Sequence, residues 1–396
     1  MSPRIPIALS TIVLLGLTAC SATPSAGSGS STPSPSSGHG AVSGAAEVAE
    51  PPLALVSVDG EGRVGMVDLL DGGTSRLGET GAPSALASDG RYLFLTTERG
   101  VEIVDSGVWT WDHVDHFHYY RAAPAMLGTV DGAGPVVVAT GPLSTAGTTG
   151  VFFEGSGEAV LLDNQALSKG KVVESFRVET GSDRGIVAPF GDGAVVASGG
   201  LIRRVEADGS ATADETGCEA PEGVATTRVG LVIGCADGAV LLTLDRGTPV
   251  FERIPYPPGA ERAVGFDGRK GRPTVAALAG DAGYLLLDTR ERSWERVETG
   301  TPLVKVSAVG DDAGHVVAVD VEGRVRVYAG GVEVGATDPL VSGDPGAASL
   351  WVDAQRAYVN APAAGAVYEI AYADGGRVAR VIETPTTPSS FAEVGR

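Results

Sequence analysis

Hydrophobic and polar positions alternate in short runs along nearly the whole chain, and the runs are separated by glycine and aspartate. The first such unit is LALVSVDGEGRVGMVDLLDGG from Leu53, and the second is ALASDGRYLFLTTERGVEIVDSG from Ala85. Others begin at Gly185, Gly223, Lys305 and Ser349, with looser copies near Pro135 and Ala263. Apolar, β-branched runs bounded by DG, GDG and GG dipeptides predict strands joined by tight hairpins. No useful helical period follows the first twenty residues. A recurring unit of about 40 residues with three or four strands is the pattern of a β-propeller blade, which is stable only when stacked in a closed ring. The expectation is an all-β chain, a propeller of seven or eight blades with eight preferred. Leu53–Val58 and Val378–Ile382 are the candidates to close the ring. The stretch LSTAGTTGVFFEGSGEAVLLDNQALSKG reads as a long insertion able to form a lid.

The N-terminus breaks this pattern. Arg4 precedes an apolar run from Ile5 to Leu17, followed by Leu17-Thr18-Ala19-Cys20. A basic start, a short apolar core and small residues before a cysteine predict a lipoprotein signal, residues 1–19, with lipid on Cys20. Residues 20–50 are rich in Ser, Gly and Pro and poor in large apolar side chains, which predicts a flexible lipidated tether. The β-propeller domain is then 51–396. Export, with anchoring by lipid at the outer face of the cytoplasmic membrane, is the expected location.

Charge and cysteine content narrow the picture. A formal net charge of -20 disfavours phosphate contacts, so nucleic acid is not an expected partner. With Cys20 assigned to lipid, Cys218 and Cys235 remain, and an oxidising compartment favours a disulfide between them, a pair of metal ligands being the alternative. Closing a loop of about 17 residues contributes about 3 kcal/mol in the chain-entropy model.

The candidate chemistry is concentrated in WTWDHVDHFHYY, Trp109 to Tyr120, which holds His113, His116 and His118, three of the five histidines. Neutral imidazoles with a carboxylate or water as fourth ligand make a tetrahedral Zn²⁺ site. In an extended chain His116 and His118 project to one face, and a turn around Val114 and Asp115 must bring His113 round. Asp115 and Asp112 serve either as ligands or as hydrogen-bond partners of a ring N–H. The competing reading is an aromatic loop whose imidazoles bond only backbone and water. The motif is expected in a long stretch between blades, where loops on rigid scaffolds carry function. His39 lies in the tether and His315 opens a predicted strand, where it reads as structural. Glu222 is a candidate carboxylate from across the ring. No GxSxG, HExxH or Walker loop is present, and the expectation is not an enzyme.

DSGVWTWDHVDHFHYYRAAP, the Cys218–Cys235 pair with GCADGAVLL, and YVNAPAAGAVYEIAYADGGRVARVIETP together resemble the AztD-type zinc metallochaperones. The resemblance spans most of the chain after the tether. It implies an exported propeller that binds Zn²⁺ and hands it to the solute-binding protein of a zinc ABC importer, with His113, His116 and His118 matching the family's histidine motif. Two regions depart from the family: CEAPEGVA and PGAASLWV lack the further histidines its members carry. The site is then expected to be poorer in ligands, and either weaker or completed by Asp112, Asp115 or Glu222. Cu²⁺ and Ni²⁺ also suit imidazole. The alternatives are a metal-free surface propeller that holds a protein partner, and a metal-dependent propeller hydrolase.

Overall fold

In the computed structural model of the chain, residues 40–112, 116–280 and 283–396 are described. Cys20, His39, His113 and Asp115, all singled out from the sequence, lie outside the described residues, as does the signal segment. The regular structure of the described residues is almost all strand: eight four-stranded antiparallel sheets and one three-stranded sheet, with one short α-helix, Asn164–Leu167.

The first strands in chain order are β1 (Ala46–Val48), β2 (Ala54–Val58), β3 (Arg63–Asp68), β4 (Thr74–Glu79), β5 (Ala85–Ser88), β6 (Tyr92–Thr97), β7 (Gly100–Asp105), β8 (Val108–Asp112), β9 (Phe117–Arg121) and β10 (Ala125–Asp131). Burial explains their composition. Middle strands such as β6, YLFLTT, and β7, GVEIVD, are buried along their whole length, because sheets cover both faces. The outer strand Ala211–Gly217 alternates between exposed and half-buried with no residue fully buried, and it carries no large apolar side chain. The leading strands, β5 and Val224–Thr226 among them, are largely half-buried and touch one another from sheet to sheet around the axis.

Consecutive sheets pack face to face through shared apolar clusters. Val56 and Val64 meet Leu93, Leu95 and Val104, Phe94 and Ile103 meet Val151 and Val160, and Phe152 and Leu161 meet Val187 and Ala194. Tyr358 and Val367 pack on Leu55 and Phe391, which joins the last sheet to the first and closes the ring of a β-propeller. The closing strand differs from the expected one. Ser390–Val394 pairs with β2, from Ala54↔Val394 to Val58↔Ser390, whereas Arg377–Glu383 is the exposed outer strand of the preceding sheet. The two are separated by TPTTPS, whose prolines end one strand before the next begins.

Two other expectations are revised. The stretch read as a lid supplies Thr148–Phe153 and Glu158–Asp163, the fully paired middle strands of a regular sheet. Part of the expected tether, Ala46–Val48, is a strand paired with β9. Cys218 and Cys235 are joined in a buried disulfide, as expected. It ties the end of the outer strand Ala211–Gly217 to Leu231–Cys235 in the next sheet.

Candidate metal centre

The histidine segment is not a connection between blades. The sheet that it interrupts runs in the order β10-β7-β6-β5, so the chain leaves after β7, makes β8 and β9, which pair with β1 in a separate three-stranded sheet, and returns to lay β10 on the outer edge. The segment is thus a hairpin inserted between the third and fourth strands of one blade. Its aromatic alternation explains the pairing: Trp109↔Tyr120 and Trp111↔His118 face each other across β8 and β9. Trp109 and Tyr120 are fully buried and stacked, with ring centroids 5.3 Å apart.

The hairpin is fixed to the blade below. Arg91 and Asp105 make two parallel hydrogen bonds of 2.9 and 2.7 Å, both side chains being buried. The Arg91 guanidinium lies 3.8 Å from the Trp109 ring centroid, a desolvated cation–π contact. Thr110 donates its hydroxyl to the Gly395 carbonyl at 2.7 Å, and Arg121 pairs with Asp68 at 2.5 Å. Burial acts to raise the Asp68 pKa, but the Arg121 guanidinium and the backbone N–H of Leu70 more than offset it and hold the carboxyl below its usual range.

On this base the end of the motif presents its imidazoles as the period-two pattern predicts. The rings of His116 and His118 lie with centroids 4.9 Å apart, and their Nε2 atoms approach to 3.1 Å. Zn–N bonds of about 2.0–2.1 Å at the tetrahedral angle require two ligand nitrogens roughly 3.3 Å apart. The observed pair fits a shared divalent ion with a shift of a few tenths of an ångström. His116 is exposed and His118 half-buried, so an ion has access.

The other nitrogen of His118 is also engaged, by a residue that sequence reasoning placed in the tether. Glu47 Oε1 lies 2.6 Å from His118 Nδ1. Glu47 is delivered by β1, which pairs with β9 in the register Glu47↔Tyr120. Upstream, Gly40 accepts a hydrogen bond from Trp109 Nε1 at 3.1 Å. Gly40 sits at φ +78° against Trp111, where a Cβ would come within 2.6 Å of the indole, so this contact requires glycine. Burial and the nearby Glu47 charge push the Tyr120 phenol above its usual range. Three strand residues give too short a pattern to be read from sequence, and the alternation AEV was the only signal.

Among the described residues, no group of three or more His, Cys, Asp and Glu side chains forms a metal cage. His113 and Asp115, expected ligands, lie outside the described residues. Glu222 is not brought to the hairpin: it pairs with Arg262 at 3.0 Å, beside the starts of leading strands, whereas the hairpin follows the opposite end of its blade. His315 has the structural role expected of it. Its backbone N–H and its Nδ1 both engage Asp311, at 2.9 and 2.5 Å. Burial acts to raise Asp311, and those contacts more than offset it, leaving the carboxyl below its usual range.

Comparison with solved structures matches this architecture. Two structures of AztD from Citrobacter koseri superpose with TM-scores of 0.74 and 0.73, at 21% and 18% identity, covering 86% of this chain and 97% of theirs. The chain shares the fold of AztD. The dihydro-heme d1 dehydrogenase NirN, solved in complex with DHE, matches at a TM-score of 0.54 and 15% identity, over 88% of this chain and 76% of its own. No family model and no curated protein matches the chain.

Proposed function

We propose that this protein is an extracytoplasmic zinc-binding lipoprotein, an eight-bladed propeller that carries Zn²⁺ as cargo and delivers it to the solute-binding protein of a zinc ABC importer. The observation that carries the reading is the approach of His116 Nε2 and His118 Nε2 to 3.1 Å on an exposed hairpin. The shared AztD fold and the sequence resemblance to AztD-type zinc metallochaperones support it. His113 and Asp115 are assigned as the remaining ligands, and Cys20 as the lipid anchor. Imidazole and carboxylate ligands suit cargo, because they exchange more readily than a closed thiolate cage. A non-enzymatic role is part of the proposal, since NirN shows that the same kind of fold carries an enzyme.

The test is metal content and competitive zinc affinity of the full chain beside the His113→Ala/His116→Ala/His118→Ala variant. One tightly held zinc that the variant lacks, followed by its transfer to a solute-binding protein, is the expected result. No bound metal in either form overturns the reading and leaves a propeller that holds a protein partner. Because metal and protons compete for imidazole nitrogens, zinc affinity is expected to be weaker at pH 5 than at pH 7.5. Equal affinity at the two values excludes histidine ligation.

A further inference from the structure

Among the described residues, Glu47 brings a carboxylate to the back of the paired imidazoles. Its Oε1 is 2.6 Å from His118 Nδ1, while the opposite nitrogen of the same ring faces His116. A carboxylate accepts only, so His118 Nδ1 must carry a proton for this contact to be a hydrogen bond. In the neutral ring that proton leaves Nε2 with a bare lone pair aimed at His116. The 3.1 Å Nε2···Nε2 contact is then completed by an N–H on His116.

The geometry points to Glu47 as a positioning residue of the metal centre: it selects the His118 tautomer that offers Nε2 to the ion, and it makes the N-terminal segment part of the site. This deepens the zinc reading above and rests on it. The strand that carries Glu47 has three paired residues, and Gly40 is held against Trp109 and Trp111 a few residues before it. Docking of the segment after the tether and orientation of His118 are therefore one event. A passive leash would need neither the register with β9 nor an acid at this position.

The experiment uses the full chain and two readouts, competitive zinc affinity and the imidazole ¹⁵N shifts of His118 in metal-free protein. Glu47→Ala is expected to weaken zinc binding by about 10–100-fold, the usual effect of losing such a hydrogen-bond partner. It is also expected to move the His118 proton from Nδ1 toward Nε2. Glu47→Gln retains an acceptor oxygen and is expected to rescue both readouts in part. Glu50→Ala removes a like charge from the same segment and is expected to change neither. Zinc held through His116 and His118 with unchanged affinity and tautomer in Glu47→Ala overturns this inference and leaves the functional reading standing. An equal loss in Glu50→Ala overturns it as well, because the effect is then general charge. No zinc bound by the wild-type chain overturns both.

Discussion

Two buried ionisable residues show what single side chains contribute. Glu393, in the closing strand, is fully buried, and its pKa is pushed up to about 7 by desolvation, which Arg396 only partly offsets and to which Asp353 adds. An acid whose folded pKa lies above its unfolded value stabilises the fold fully below the unfolded pKa. That contribution is lost as pH rises through the folded value. The difference in unfolding midpoint between wild type and Glu393→Gln is expected to shift in favour of the variant between about pH 4.5 and 7, as urea titrations at several pH values will show. A constant difference across that range contradicts the assignment. Arg91 makes the opposite case, a buried cation whose partner Asp105 is equally enclosed. Arg91→Met leaves Asp105 uncompensated and is expected to cost about 3–5 kcal/mol, whereas Arg91→Met with Asp105→Leu costs less than the single change. Urea denaturation of the two variants decides this.

At the scale of elements, the β8–β9 hairpin is an addition to a blade that is complete without it, since β7 and β10 pair directly. Its aromatic core and the Arg91 anchor hold it rigidly enough to set the spacing of two imidazoles. The Cys218–Cys235 disulfide acts elsewhere, between two neighbouring sheets. Replacing both cysteines with alanine is expected to lower stability by about 3 kcal/mol, read as a lower urea midpoint, while zinc binding stays unchanged. The hairpin's membership of a blade was illegible in the sequence because its strands interrupt the 40-residue period, so that β10 fell in the stretch between the unit from Ala85 and the looser copy near Pro135. The pairing of His116 with His118 was legible, because alternation in an extended strand is a local rule.

At the scale of the molecule, closure of the ring decides whether the inner edge of β2 is covered. The five residues of β2 are buried because Ser390–Val394 covers their free edge. Deleting residues 390–396 is expected to leave an unpaired hydrophobic edge and a chain that self-associates, visible by size-exclusion chromatography. A monomeric deletion with unchanged melting would show that closure is not needed. The sequence placed ring closure at the right N-terminal strand and the wrong C-terminal one. Val378–Ile382 is the more apolar segment, yet the strand chosen is the one that follows a proline-rich turn and carries Phe391 into the shared cluster.

By itself the sequence determined what local chemistry controls. Strands, turns, the repeat of about 40 residues and the shared face of His116 and His118 all follow from alternation and turn residues within a few positions of one another. The tertiary structure alone decided which distant segments meet. Glu47 reaches His118 across 71 positions, Glu222 pairs with Arg262 beside the starts of leading strands, and Ser390–Val394 closes on β2. These outcomes depend on pairing between segments far apart in the chain, where burial and register of the whole ring outweigh any local preference.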